Sequence, residues 1–313
     1  MKSHTHLRAK LDLIHKKLPF EFISSYGTKE DIDRYYKRNL WAYRIFHNRF
    51  GYMHMGLSDD NTAKFKQSDL LTQLNHISMI IKEQNAKRVL ELGSGQGANL
   101  KYLSKHFPDV EFLGIDLSHE SKTLSSNAKT LQGDYHKLTS KVKGEFDVVF
   151  AIETLCHSNN KVKVLNEVAK LLTRSGYFIS YDAYRIKTSN LSETEEEAIY
   201  LASKCMSVQS FDYIDTFEEI IAKSNLYLET DHDYSINILP SLRRFARLAQ
   251  AFLSLPSPVI NFLRRIFPKE FLQNIISGYL MIDLVEAGLA TYRCHRLRHI
   301  PTKKFRSQLS AEI

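Results

Sequence analysis

The chain has 313 residues, 43% hydrophobic and 25% charged, a balance that excludes a disordered or fibrous polymer and fits an ordinary globular protein. Its formal net charge is +8, and the stretch from Ile236 to Ile313 holds twelve Lys or Arg against four Asp or Glu, so the whole surplus lies there. Three cysteines, Cys156, Cys205 and Cys294, are odd in number and lack paired spacing, which excludes a disulfide framework and predicts free thiols in a reducing, cytoplasmic compartment.

The N-terminal stretch "MKSHTHLRAKLDLIHKKLPF" lacks the uninterrupted apolar core of a signal peptide. Its Leu7, Leu11, Ile14 and Leu18 fall at helical spacing and predict an amphipathic helix lying on the protein. An aromatic-rich segment follows, with Tyr35, Tyr36, Trp41, Tyr43, Phe46, Phe50 and Tyr52. "SDLLTQLNHISMIIKEQ" reads as a helix capped by Ser68. "KRVLEL" reads as a short buried strand ending in the loop "GSGQG", and "ANLKYLSKHF" as a helix stopped at Pro108. "VEFLGIDLS" is a second strand ending at Asp116, followed by a helical stretch and then "KTLQGDYHKL". "FDVVFAIE" is another strand, "NKVKVLNEVAKLLTRSG" a helix closed by Gly176, and "YFISYDAY" the next strand. Beyond it come an acidic helix, "SETEEEAIYLASKCM", and a helix and strand in "TFEEIIAKSNLYLETDHDYS". Residues 239–288 are helical, basic and broken by prolines, and "LATYRCHRLR" alternates as a final strand. No apolar run is long enough to span a bilayer; "IISGYLMIDLVEAGLA" is short and carries Asp283 and Glu286. Strands alternating with helices predict an α/β fold, a mostly parallel sheet with helices on both faces. Ligands of such sheets lie at the carboxyl ends of the strands, near the switch point.

Gly93, Gly95 and Gly97 spell G-x-G-x-G between a strand and a helix, and Asp116 ends the next strand 19 residues after Gly97. Glycine allows tight turning and close approach of backbone to ligand, and a carboxylate at roughly that distance, about 20 residues on, suits a ribose. Two nucleotide-type ligands fit this constellation, a dinucleotide and an adenosyl sulfonium. Dinucleotide sites favour a third glycine one position later, where this chain has Ala98.

That spacing resembles the class I S-adenosylmethionine (SAM) methyltransferases. The resemblance implies a Rossmann-like, doubly wound, seven-stranded sheet with an N-terminal helical segment and a helical cap inserted before the last strand. It implies that Glu91 orients the methionine amine and that Gly93, Ser94, Gly95 and Gly97 wrap the methionine and ribose. Asp116 would take the ribose hydroxyls, Leu117 would pack on the adenine, Asp134 would take the adenine amine with Tyr135 beside it, and Ile152 would line the site. "LLTRSGYF" stands where the family has L-x-P-G-G, and only Gly176 of that motif remains. "AIETLCHSNN" is similar to the A-I-E-A-T-C-H-A-P pattern of sterol and terpenoid C-methyltransferases, departing at Leu155 and at Ser158-Asn159. The resemblance covers about Tyr35 to Ser235 and is most specific over residues 89–182. It divides the chain into an aromatic-rich helical cap segment (1–67), a SAM-binding core (68–235), a basic helical insertion or lid (236–288) and a final strand with a tail (289–313).

Methyl transfer from a sulfonium is an in-line displacement, so an enzyme chiefly aligns the partners and excludes water. A hydroxyl or amine acceptor needs a base, for which His157 is the candidate. An alkene acceptor becomes a carbocation, for which Tyr35, Trp41, Tyr43 and Tyr181 would supply aromatic faces and Glu153 a proton acceptor. Each has a plainer role beside it: aromatics as core, Glu153 as a loop tie, His157 as a backbone partner, Cys156 as a packed thiol. No Cys/His spacing predicts a metal. The basic helices with Arg244, Arg247, Arg264 and Arg265 among Leu and Phe suit either contact with a membrane surface or a lid over the acceptor. The leading expectation is a SAM-dependent methyltransferase of a lipophilic small molecule (a sterol, terpenoid, quinone or related lipid), cytoplasmic and peripheral to a membrane. Beside it stand O- or N-methylation of a polar metabolite or phospholipid headgroup, and a non-catalytic membrane-surface module. A nucleic-acid substrate ranks low, because the loop after "FDVVFAIE" lacks an N/D-P-P-Y/F type motif.

Overall fold

The computed structural model describes residues 2–18, 29–60 and 64–300, and the expected tail from 301 onward lies outside them. The chain forms two units. The first comprises Met1–Gln73, Asp182–Ile214 and Asp233–Arg293, and the second Leu74–Tyr181, Asp215–His232 and Cys294–Ile313.

The first unit is helical. Helix α1 (Lys2–Lys17) buries Leu7, Leu11 and Ile14, with Leu18 just beyond its end, as the spacing predicts. These side chains enter a core with residues of α7 (Glu193–Cys205), α9 (Leu239–Leu253), α10 (Ser257–Ile266) and α11 (Lys269–Glu286). Buried Lys10 donates to Asp283 Oδ2 and to the Tyr279 carbonyl oxygen, so its charge is paired where water is excluded. Helix α7 begins with a reciprocal cap, in which Ser192 N–H donates to Glu195 Oε2 and Glu195 N–H to Ser192 Oγ. Helix α2 (Lys29–Ala42) runs into a π-helical turn, Tyr43–His47.

The second unit carries α3 (Thr72–Glu83) from Leu74 onward, β1 (Arg88–Leu92), α4 (Ala98–His106), β2 (Glu111–Asp116), β3 (Lys122–Ser125), β4 (Ala128–Gln132), α5 (Leu138–Lys141), β5 (Phe146–Ile152) and α6 (Lys161–Leu171). Strand β6 (Leu172–Arg185) follows, then α8 (Ile214–Ala222), β7 (Leu226–Asp233) and β8 (Ala290–His299). The strands form one sheet in the order β3-β4-β2-β1-β5-β6-β8-β7. Strands β4, β2, β1, β5 and β6 run parallel. Central strands of a parallel sheet are covered on both faces and so read as continuous apolar runs, as in "RVLEL" and "FDVVFAI". The winding reverses between β1 and β5, which makes the loops after these two strands the walls of the switch-point crevice.

Three details differ from expectation. The stretch after Asp116 is not helical: β3 turns back antiparallel onto β4, giving eight strands rather than seven. The segment is short, and Leu124 of β3 packs into the space beside Gly97, 2.4 Å from where a Cβ would stand. Ser68 is not the cap of α3, which is preceded by a 3-10 turn, Gln67–Leu71, where the Asp69 carboxylate accepts the Lys66 N–H. Gly176 does not close α6: that helix passes directly into β6, and the register jumps from Phe146↔Leu172 to Val148↔Tyr177, leaving Gly176 in the resulting bulge.

Candidate functional site

The loop between β1 and α4 turns through three left-handed glycines, and at Gly93 and Gly97 a Cβ would also collide with a neighbouring side chain. Gly93 has φ +68°, and a Cβ there would stand 2.1 Å from Thr154 Oγ1. Gly95 has φ +52° and nothing within 4 Å of a would-be Cβ, so its backbone faces open space. Gly93 N–H donates to the Ile115 carbonyl oxygen (2.8 Å) and Gly97 N–H to that of Ser94 (2.8 Å). Glu91, just before the loop on β1, is 2% exposed. Its Oε1 accepts from Asn99 Nδ2 (2.7 Å), while Oε2 is buried with no partner among the described residues, as is Ser94 Oγ. Burial pushes the Glu91 carboxyl up to about 8, Asn99 opposing and Asp116 adding to the rise.

Asp116, at the carboxyl end of β2, braces the loop. Its Oδ2 accepts the Gly95 N–H (2.8 Å), and its Oδ1 the Ser118 N–H (2.8 Å) with His119 Nδ1 at 3.0 Å. Burial alone would raise its pKa, but the bond and charge of His119 and the backbone donors hold the carboxyl below its ordinary value. Leu117 follows, half-buried, its carbonyl accepting from Gln132 Nε2 (3.3 Å). Gly133 N–H donates to the Asp116 carbonyl oxygen (2.9 Å), which brings the end of β4 alongside. Asp134 caps the short turn Tyr135–Lys137, and its Oδ1 receives the His136 N–H (2.9 Å) and lies 2.7 Å from His136 Nδ1. Tyr135 donates from its hydroxyl to the Thr154 carbonyl oxygen (3.3 Å).

Ile152 ends β5, and Glu153 follows with φ +50°, a left-handed conformation that costs a β-unbranched residue roughly 1–2 kcal/mol. Its N–H donates to the Tyr181 carbonyl oxygen (2.8 Å). The 3-10 turn Leu155–His157 carries half-buried Cys156 and His157. Tyr181, on β6, is buried with its hydroxyl 2.9 Å from His76 Nδ1. The proposed cofactor and proton-handling residues thus gather at the carboxyl ends of β4, β2, β1 and β5. Asn99, Thr154, His119, His136 and His76 complete their bonding; none carried a sequence signal, since each meets its partner only after folding.

The other aromatic candidates belong to the first unit. Tyr35 is buried, its hydroxyl bonded to Asn274 Oδ1, and burial followed by neighbouring Tyr43 and Tyr36 raises its pKa well above the ordinary value. Trp41 stacks on Phe267 (5.6 Å, 19°) and lies 5.1 Å from Phe271. Tyr43 is half-buried, 5.9 Å from the His47 ring.

A family described as "Methyltransferase domain" matches residues 90–180, the span that holds this loop and all four strand ends. Residues 90–180 thus match a methyltransferase domain. The cofactor of such domains is S-adenosylmethionine. The chain is 29% identical over 115 residues to a sarcosine/dimethylglycine N-methyltransferase of Aphanothece halophytica, covering 34% of this chain and 40% of that protein. It is 32% identical over 118 residues to a fatty-acid O-methyltransferase of Mycolicibacterium smegmatis, covering 36% and 42%. The match thus spans about two fifths of the length of these curated relatives. Among solved structures, the geranyl diphosphate C-methyltransferase of Streptomyces coelicolor, in complex with geranyl diphosphate and S-adenosylhomocysteine, superposes with a TM-score of 0.58 at 11% identity, over 88% of this chain and all of that one. This methyltransferase domain therefore shares its fold with enzymes that methylate nitrogen, oxygen and carbon.

Proposed function

We propose that the chain is a SAM-dependent methyltransferase that acts on a lipophilic small molecule, a sterol, terpenoid, quinone or related lipid. The observation that carries the cofactor half is Glu91 Oε2, a buried acceptor with no partner among the described residues, beside a glycine loop whose Gly95 faces open space. An ammonium group is what such an oxygen lacks, and its arrival would return the carboxyl to its charged form. Glu91 and Ser94 would hold the methionine end, Gly93, Gly95 and Gly97 the middle, Asp116 the ribose, and Leu117, Asp134, Tyr135 and Ile152 the adenine side. The bound group supplies an electrophilic methyl on a sulfonium. Glu153 and His157, at the carboxyl end of β5, are the residues proposed to take the proton that the acceptor loses.

The lipophilic half rests on the fatty-acid and geranyl diphosphate enzymes among the similar proteins, and on α10. That helix exposes Val259 (41%), Phe262 (61%) and Ile266 (58%) beside Arg265, a surface suited to an anionic membrane where such acceptors dissolve. Among the described residues no helix is long and apolar enough to cross a membrane. The N-methyltransferase relative favours a second reading, methylation of a polar amine.

The cofactor assignment is tested by titrating the protein with S-adenosylhomocysteine in a calorimeter. Wild type binds one equivalent, and Asp116→Ala weakens binding by at least about tenfold. No heat with wild type, or equal affinity in the variant, overturns the assignment.

A further inference from the structure

The segment "AIETLCHSNN" departs from the sterol-type motif at Ser158, and the fold gives that serine a partner. Its Oγ lies 2.8 Å from His136 Nε2, and His136 Nδ1 lies 2.7 Å from Asp134 Oδ1. The direction of this chain follows from Asp134, whose carboxylate only accepts, so the His136 ring donates to it from Nδ1. In the neutral ring Nε2 then accepts, and the Ser158 hydroxyl, whose oxygen also accepts the Asn160 N–H (3.2 Å), donates to it. The His136 N–H (2.9 Å) falls on the same oxygen, so two donors grip Asp134 Oδ1 and set the plane of the carboxylate. The same residue types serve as a nucleophilic triad in other proteins. Here Ser158 is buried and its oxygen already accepts from Asn160, so the arrangement orients rather than attacks.

We propose that Ser158 and His136 are positioning residues that hold Asp134 for the exocyclic amine of the cofactor's adenine, and that they tie this end of the cofactor site to the turn carrying His157. The proposal rests on the reading of Asp134 as the adenine contact. It assigns the departure at Ser158 a role: alanine in its place would leave His136 Nε2 without the donor that holds the ring against Asp134. The relay also makes the adenine contact depend on the conformation of the Leu155–His157 turn, since Ser158 N–H donates to the Leu155 carbonyl oxygen (2.9 Å).

Selectivity for the base is the readout that a merely structural role would not move. Calorimetry compares S-adenosylhomocysteine with S-inosylhomocysteine, in which a carbonyl oxygen replaces the amine and would face the Asp134 carboxylate. Wild type prefers the adenine ligand by at least about tenfold. Ser158→Ala and His136→Ala reduce that preference towards unity while affinity for the inosine ligand is unchanged, and His136→Asn, which keeps a donor near the Nδ1 position, restores part of it. Wild-type selectivity in both alanine variants contradicts the relay. So does an equal loss of affinity for the two ligands, which would mark His136 and Ser158 as general supports of the fold. Wild type binding neither ligand overturns the cofactor reading beneath the relay, an outcome distinct from either.

Discussion

Glu91 is the residue whose chemistry changes most on folding. In water its carboxyl ionises near 4.5, and burial pushes it to about 8. Between those values the folded protein holds a proton that the unfolded chain has released, so this group makes stability fall as pH rises through that window. Without ligand, wild type should lose thermal stability from about pH 5 to pH 8 more steeply than Glu91→Gln, measured by calorimetric scans across that range. An ammonium beside Oε2 reverses the preference, so binding S-adenosylhomocysteine at neutral pH should release up to about one proton, read from binding enthalpies in buffers of different ionisation heat. Glu91→Gln should release none of it; equal release by the two proteins would remove Glu91 from the amine site. Glu91, the glycines and Asp116 were legible in the sequence because their spacing is written along one strand–loop–helix–strand stretch. The groups that tune them were not. Asn99 reaches Glu91 from the first turn of α4, Thr154 fits against Gly93 from beyond β5, and His136 meets Ser158 across 22 residues.

At the scale of elements, apolar periodicity located what was buried and left ambiguous what was short. The four apolar residues at the N-terminus predicted α1 because each enters the core at helical spacing. The β3–β4 hairpin escaped because a few residues between two strands carry no resolvable period, and only packing of Leu124 against Gly97 decides their course. Helix α10 is the opposite case, since its pattern was plain and its use was not. One of its residues, Ile260, is fully buried, while Val259, Phe262 and Ile266 are exposed with Arg265 beside them. Each large apolar side chain contributes about 1.5–3 kcal/mol when fully buried, and each arginine about 1 kcal/mol near an anionic surface. Vesicles of phosphatidylcholine with phosphatidylserine should therefore sediment the protein, and the Phe262→Glu, Ile266→Glu double variant should bind at least about tenfold less. Equal sedimentation of the two proteins would show that α10 is not the contact.

The molecule as a whole joins a recognisable domain to a helical unit that the domain match does not reach. Residues 90–180 hold the glycine loop, Asp116, Asp134, Glu153 and His157, so the residues proposed for the cofactor and the proton lie in the span that matches a methyltransferase domain. The acceptor side could not be read ahead of the structure, because the same sheet serves nitrogen, oxygen and carbon acceptors. Tyr35 and Trp41 show the difficulty. As sequence they are aromatic faces available to a cation, whereas in the fold one is buried with its hydroxyl bonded and the other is stacked on phenylalanine. Affinity for the cofactor leaves the acceptor open, so the direct measurement is transfer of a labelled methyl group. Incubation of the protein with methyl-labelled S-adenosylmethionine and fractionated lipid and polar extracts should move label into the organic-soluble lipid fraction, in proportion to protein and far more slowly with Asp116→Ala. Label recovered only in polar metabolites would contradict a lipophilic acceptor, and no transfer into either fraction by protein that binds the cofactor would contradict the enzyme itself.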